Sequence, residues 1–272
     1  MIEPEVRLET VHDVTEGPAL RLPPELEDAY GGPFRIAERV VYGNFVTSVD
    51  GIAALAGVEM SSATISGGEP ADRFVMALLR GAADAVMVGA GTLREHGGPW
   101  TAERAFPSGA DRFREARAVI GAAPSPTLVV VTASGELPAD HPSLPDAVVV
   151  TTASGAHTLA ERHVPCREVM ETGSADEVDA RAAIARLRDR GFERILTEGG
   201  PRLMGSMLEA SVVDELFLTI SPKLLGGGHG RPPLSDETPL DRSLRLGSAR
   251  RSGDHLFLRY AISGSAPSRP AL

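Results

Sequence analysis

The feature that most constrains this chain is a rhythm of short, valine-rich apolar runs separated by stretches of helical spacing. Ala85 to Val88 ends at Gly89, Leu128 to Val131 and Ala147 to Val150 follow, and Arg194 to Thr197 ends at Glu198-Gly199-Gly200. Runs of this length, rich in β-branched residues and bounded by glycine, read as strands buried on both faces of a parallel sheet. Arg39 to Thr47 reads as an earlier strand, followed by the turn-like Ser48-Val49-Asp50-Gly51. Between the runs, Pro70 to Ala83 places Phe74, Ala77 and Leu78 at helical spacing, and Val178 to Arg190 is an amphipathic helix stopped by Gly191. Pro201 to Glu209 is predicted as a helix directly after the last of these strands.

The rhythm then changes. Asp214 to Ser221 and His255 to Ile262 read as strands with no helix between them, and Leu244 to Arg251 is expected to add a third. Alternating β and α units followed by consecutive strands predict one α/β domain over residues 37–262, a mostly parallel sheet flanked by helices with antiparallel strands at its C-terminal edge. Residues 1–36, acidic and carrying Pro4, Pro18, Pro23, Pro24 and Pro33, read as a partly extended N-terminal arm, and 263–272 as a flexible tail. Residues 108–121 read as an insertion or a helix.

Composition narrows the function classes. The formal net charge is -10, so the protein's field repels phosphate backbones and anionic membranes, and no nucleic-acid or membrane partner is expected. A phosphorylated ligand then has to be held by local features. The single cysteine, Cys166, excludes an intrachain disulfide and argues against a cysteine metal site, so no metal is expected. No secretory signal is read at the N-terminus and no apolar stretch approaches the roughly 18 residues of a membrane span, so a cytoplasmic location is expected.

In an open α/β sheet, ligands bind beyond the carboxyl ends of the strands, and three strands here end in conspicuous sequences. Thr197-Glu198-Gly199-Gly200-Pro201 joins a strand to a helix: two glycines let a ligand approach the backbone, and the helix start offers free N–H groups to a phosphate. A tight glycine-rich turn would look the same. Val88-Gly89-Ala90-Gly91-Thr92 fails the dinucleotide fingerprint because Arg94 stands where its third glycine belongs, yet it can present N–H groups and a hydroxyl. Asp50-Gly51 is either a plain β-turn or a loop beside the reacting centre.

Other chemistries find no support. There is no G-x-x-x-x-G-K-[ST], H-E-x-x-H or G-x-S-x-G, and the seven histidines do not cluster. Gly226-Gly227-Gly228-His229-Gly230 reads as a flexible crossover loop. Arg80 ends an apolar helix, where it either complements the helix dipole or pairs with a substrate phosphate.

Taken in order, Ser48-Val49-Asp50-Gly51, Arg80-Gly81-Ala82-Ala83-Asp84-Ala85, Val88 to Thr92, Thr197 to Pro201, and Val213-Asp214-Glu215-Leu216 leading to Pro222-Lys223-Leu224-Leu225-Gly226 resemble the reductase domain of bacterial riboflavin biosynthesis. The resemblance spans roughly residues 38–262. It implies a dihydrofolate-reductase-like fold, NADPH as cofactor, a homodimer, and reduction of the ribosyl group of 5-amino-6-(5-phosphoribosylamino)uracil to a ribityl chain. It further implies that Gly199, Gly200, Pro201, Arg202, Leu203 and Met204, as far as Ser206, hold the NADPH diphosphate. Val46, Ser66, Gly89, Gly91, Thr92 and His96 would touch the cofactor, with Glu95 competing for the role of His96. Thr132 and Ser134 would lie near its adenosine. Asn44, Thr64 and Arg80 would bind substrate, Arg80 at its phosphate, while Glu198 would accept hydrogen bonds from the pyrimidine and Asp50 would stand near the reacting centre.

The chain departs from the family pattern in two places. Asn44 stands where a lysine is often found, and Ala63-Thr64-Ile65-Ser66 replaces a Trp-Ile-Thr segment. With one cysteine no H-x-E…P-C-x-x-C can be written here, so the deaminase domain often fused in front is not expected in this sequence. Asn44 keeps open a same-fold reductase of a pterin such as dihydrofolate, and a non-catalytic NADPH-binding dimer is the alternative of a different class. Arg94, Arg202 and Arg104 remain open as the cation for a 2′-phosphate.

Overall fold

The computed structural model describes residues 6–55, 61–226, 230–231 and 242–263. The chain enters through strand β1 (Glu9–Asp13) and helix α1 (Pro24–Tyr30), then forms β2 (Val40–Ser48), β3 (Ala54–Leu55), α2 (Ser61–Ser66) and α3 (Pro70–Ala82). The predicted rhythm follows as β4 (Ala85–Gly89), α4 (Ala90–Glu95), α5 (Ala102–Ala105), α6 (Ala110–Val119), β5 (Thr127–Val131), β6 (Val148–Thr151), α7 (Ala153–Glu161) and β7 (Glu168–Glu171). The last section comprises α8 (Ala180–Arg188), β8 (Arg194–Thr197), α9 (Pro201–Glu209), β9 (Glu215–Ser221), β10 (Gly230–Arg231), β11 (Leu244–Ser252) and β12 (His255–Ile262).

Ten strands form one sheet in the order β1-β11-β12-β9-β2-β8-β4-β5-β6-β7. From β9 to β7 every neighbouring pair is parallel, and β12, β11 and β1 continue it antiparallel. From β2 the chain steps over one position to β4 and moves outward to β7. It then returns through α8 to place β8 between β2 and β4. This reversal is the switch point at which open α/β sheets leave a crevice.

Period-two alternation splits the strands between two cores. Tyr42, Val86, Val88, Val130, Val149 and Leu196 pack with α3 and its neighbours, whereas Val41, Met87, Val129, Val150 and Ile195 pack with α8 and α9. Two acids pin the strand starts. Asp84 accepts the N–H groups of Glu193 (2.9 Å) and Arg194 (2.7 Å), tying β4 to β8, and Asp214 accepts that of Val41 (2.8 Å), tying β9 to β2.

The N-terminal residues do more than extend along the domain. β1 pairs with β11, and Leu8, Leu20, Leu26, Tyr30 and Phe34 are buried in the α3-side core. The Arg250 guanidinium joins this segment to the sheet by lying 3.9 Å from the Tyr30 ring centroid and 2.7 Å from Asp13. Ala63-Thr64-Ile65-Ser66, the segment that departs from the family pattern, is helical within α2. The 108–121 stretch contains α6. Gly227, Gly228 and His229 of the glycine-rich crossover, and residues 264–272 of the tail, lie outside the described residues. Among the described residues no helix is long and apolar enough to cross a membrane.

Candidate active site

β4, β8 and β2 end side by side because parallel strands share one carboxyl edge. The N–H of Glu198 donates to the Met87 carbonyl at 3.0 Å, which fastens the end of β8 to β4. The β8–α9 turn is built from glycine for steric reasons. A Cβ at Gly199 would lie 2.4 Å from Leu203 Cδ2, so any side chain there would push Leu203 out of place. A Cβ at Gly200 would meet only Thr92 Oγ1, at 3.6 Å, which brings the β4–α4 turn within reach of the start of α9. At Gly91 a Cβ would meet open space.

α9 starts without a side-chain cap: Gly200 is its N-cap and Pro201 its first residue. An α-helix leaves its first N–H groups without intrahelical partners and carries about half an elementary positive charge at that end. Pro201 has no N–H, so Arg202 and Leu203 supply the donors. This fits an anionic diphosphate. Met204 does not contribute: its N–H is bonded to the Gly200 carbonyl at 3.2 Å and its side chain is buried against Gly43. The Leu203 side chain likewise packs inward against Gly199 and Gly89.

The other expected cofactor residues lie along the same edge. His96 caps α4 with Nδ1 3.1 Å from the Thr92 carbonyl, and its own carbonyl faces His141 Nε2 at 2.9 Å. After β5, Thr132 Oγ1 accepts from Gly135 N–H at 3.2 Å and Ser134 Oγ from Glu136 N–H at 3.3 Å, which shapes the loop expected near adenosine. Arg94 reaches that loop, donating to the Glu136 carbonyl at 3.1 Å. Of the three arginines left open, it is the one tied to this end of the crevice. Val46 and Asn44 lie on the α3 side of β2, Val46 buried and Asn44 half-buried. Ser66 is buried at the end of α2, hydrogen-bonded to Ala63 and Gly68.

Glu198 projects to the α3 side of the sheet, like Leu196 two residues before it. There it meets Arg80. Arg80 Nε lies 2.9 and 3.2 Å from the two carboxylate oxygens and Nη2 lies 2.6 Å from Oε2, with the side chains 10% and 9% exposed. Arg80 Nη1 turns to the Thr101 carbonyl at 3.4 Å. Arg80, expected at a substrate phosphate, is thus held against the buried Glu198 carboxylate at the end of α3. Behind it, the buried Arg117 donates to the carbonyls of Arg80, Gly81 and Ala83 at 3.2, 3.0 and 2.8 Å, satisfying the C-terminus of α3.

Asp50, expected near the reacting centre, sits in the turn after β2. Its carboxylate accepts the N–H groups of Leu225 (3.2 Å) and Gly226 (2.7 Å). The Ser48 hydroxyl and these two amides hold its pKa down at about 2, which suits a permanently ionised tether rather than a proton carrier. Val49 N–H donates to the Lys223 carbonyl at 2.9 Å and β3 pairs with β10, so the described parts of the segments after β2 and β9 are tied to each other. Two residues passed over in the sequence lie close by. Asp72 is buried on α3, and that burial pushes its pKa up to about 6, against the Thr219 hydroxyl and His255 and with Glu69 and Glu198 adding to the rise. Lys223 donates from Nζ to the Thr64 carbonyl. The sequence signal for Lys223 was available, since it is the only lysine in the chain.

A glycine-walled helix start and a buried, arginine-paired carboxylate stand next to each other in sequence at the carboxyl edge of a mostly parallel α/β sheet. The chain belongs to the RibD C-terminal domain family, whose model matches residues 39–258. It is 29% identical over 231 residues to the 2,5-diamino-6-ribosylamino-4(3H)-pyrimidinone 5′-phosphate reductase of Methanothermobacter thermautotrophicus, covering 81% of this chain and 97% of that one. The protein of the same name in Archaeoglobus fulgidus is 27% identical over 178 residues, 65% of this chain and 78% of that one. In fold it is similar to a pyrimidine reductase-like protein from Corynebacterium diphtheriae, with a TM-score of 0.67 at 24% identity over 82% and 92% of the two chains.

Proposed function

We propose that this protein is the pyrimidine reductase of a riboflavin pathway, using NADPH to reduce the ribosyl group of a phosphorylated ribosylaminopyrimidine to a ribityl chain. The observation that carries this reading is the contiguity of Glu198 with Gly199-Gly200: one turn offers a carboxylate to a pyrimidine's N–H groups and a helix start to a dinucleotide's diphosphate. The two ligands are thereby held face to face, and proximity of this kind is the main contribution a protein makes when a cofactor carries the chemistry. When bound, NADPH supplies the hydride. The chain's own residues position it: Gly91, Thr92, Arg202 and Leu203 line the anionic bridge, and Arg94, beside the loop after β5, is the cation for the 2′-phosphate. Glu198 accepts from the pyrimidine ring, held in place by Arg80. Asp50 ties the turn after β2 to Leu225 and Gly226 beside the same edge.

The named relatives act on the 2,5-diamino form of the pyrimidine, whereas the expectation from sequence is the uracil form, which carries a carbonyl in place of that amine. Purified protein supplied with NADPH and either compound should oxidise the nucleotide and yield the ribitylamino product. Oxidation with neither pyrimidine, or turnover of dihydrofolate alone, would refute the reading.

The same reading includes a cytoplasmic homodimer. Phe45, Leu218 and Leu258 lie in one row across β2, β9 and β12 on the face away from α3, half-buried, with the exposed Leu256 beside Ile220 in the next row. Phe45 packs at the margin of the α8–α9 core. A second copy packed there would bury that row, and Leu218→Asp should convert a dimer in sedimentation to a monomer.

A further inference from the structure

Reduction of a ribosyl group consumes a proton as well as a hydride. Asp50 is ionised at neutral pH and Glu198 is paired with Arg80, so the proton has to come from elsewhere. We propose that Asp72, seated on the Thr219 hydroxyl in the first turn of α3, is the acid that protonates the ring oxygen of the sugar. This rests on the reductase reading of the same crevice and adds to it the source of the proton.

The chemistry balances with one acid. C1′ of the sugar gains a hydride and is reduced, and the nicotinamide that loses it is oxidised. The C1′–O4′ bond breaks, its electron pair stays on O4′, and O4′ takes the Asp72 proton to become a free hydroxyl. Water then returns a proton to the Asp72 carboxylate.

Position favours Asp72 for this task. Thr219 lies in the carboxyl half of β9, in register with Val46 of β2, the residue expected against the cofactor. Glu198 ends β8 on the other flank of β2. One carboxyl group thus stands on each side of the β2 segment that carries Asn44 and Val46, and both lie on the α3 face. A sugar carbon brought to a nicotinamide over Val46 lies between them.

The surroundings of Asp72 suit a proton store. It is buried, as is Thr219. Among the described residues no cation forms an ion pair with it. Three titratable groups face it: Glu69 at the N-cap of α3, Glu198 after β8, and His255 at the start of β12. Burial dominates and brings its pKa up to about 6; the Thr219 hydroxyl and His255 oppose the rise, while Glu69 and Glu198 add to it. His255 is itself occupied, with Nε2 3.0 Å from the Ser66 carbonyl and Nδ1 3.8 Å from Glu69. Two carboxyl groups in environments this different divide the work: the one paired with arginine accepts hydrogen bonds, and the one lodged on a hydroxyl gives a proton.

The test follows kcat and KM for the phosphorylated ribosylaminopyrimidine against pH in the wild type, Asp72→Asn and Thr219→Val. Wild-type kcat/KM should fall as pH rises past about 6, where the acid form is lost. Asp72→Asn keeps the size of the side chain. It should lower kcat about hundred-fold with little change in KM, and abolish that fall. Thr219→Val removes a partner that favours the ionised form, so the fall should move to higher pH. An unchanged kcat in Asp72→Asn, or a loss confined to KM, would make Asp72 a structural or ring-binding residue and overturn the proposal. A second readout needs no turnover. The infrared difference between the wild type and Asp72→Asn should show the C=O stretch of a protonated carboxyl, lost as pH passes about 6. A carboxyl already ionised at about pH 5 overturns the proposal as well. Failure of the reductase reading is distinguishable, because the wild type itself would then oxidise no NADPH at any pH.

Discussion

The Arg80–Glu198 pair makes a quantitative prediction because both partners are almost sealed from water. With side chains 10% and 9% exposed and contacts of 2.6 to 3.2 Å, solvent screening removes little of the interaction. Removing one member of such a pair leaves the other as an uncompensated buried charge, which costs about 3–5 kcal/mol. Replacing both with apolar residues removes the desolvation penalty together with the attraction. Arg80→Met should therefore lower the thermal midpoint by roughly 6–20 °C, at about 2–4 °C per kcal/mol for a chain of this size. Arg80→Met/Glu198→Leu should recover a large part of that loss. The assay is differential scanning calorimetry at pH 7 on the wild type, the two single variants and the double. A double variant as unstable as the sum of the singles would show that the two side chains do not interact. A loss below about 1 kcal/mol in Arg80→Met would place the pair effectively in solvent, as for ordinary surface ion pairs. Either result refutes the assignment of Arg80 as the clamp that fixes Glu198.

Three further outcomes are expected. Gly200→Asp puts a negative charge at the uncapped start of α9 and should weaken NADPH binding at least ten-fold in a fluorescence titration; unchanged affinity would mean the diphosphate binds elsewhere. Asp72, with its pKa raised from 3.8 to about 6, binds a proton in the fold that the unfolded chain releases between those values, so stability falls by about 3 kcal/mol as pH rises from 4 to above 6. Asp72→Asn should flatten that limb of the pH–stability curve, and an unaltered slope would contradict the buried acid. Asp50→Ala should speed hydrogen exchange at the Leu225 and Gly226 amides about ten-fold at neutral pH while leaving β2 unchanged; the wild-type tether is present at all pH values well above 2 and loosens only as pH falls toward it.

The sheet's centre was legible because its strands are valine-rich and its glycines mark their ends, so Arg194–Thr197 and Pro201–Glu209 were bounded correctly from sequence. The edges were not. β1, Glu-Thr-Val-His-Asp, is exposed at every position and carries no apolar period; it is a strand only because β11 offers it hydrogen bonds. β7 is four residues long with one buried side chain, Met170, too short for a periodic signal. α4 was hidden because Gly89 and Gly91 read as a loop, although Gly89 stands at its N-cap position. For α1 the signals were present, with Pro24 at the first helical position and Gly31 in the left-handed conformation at its end. The density of prolines around them masked both.

The site was half legible for a different reason. Composition and turn chemistry single out residues, but they do not say which residues meet. Arg80 and Glu198 are 118 positions apart, and no spacing rule joins them; what joins them is the insertion of β8 between β2 and β4 late in the chain. That strand is only four residues long, and a slip of one residue would turn Glu198 to the α9 face and Thr197 toward Arg80. Its register is set at the opposite edge, where Asp84 accepts the N–H groups of Glu193 and Arg194, and at the near edge, where Glu198 N–H meets the Met87 carbonyl. The aspartate that looks like a family landmark in Arg80-Gly81-Ala82-Ala83-Asp84-Ala85 thus acts on the Glu198 carboxylate from the far end of the strand. The same six residues carry both the pin and the clamp, so the sequence signature and the geometry of Glu198 are one constraint.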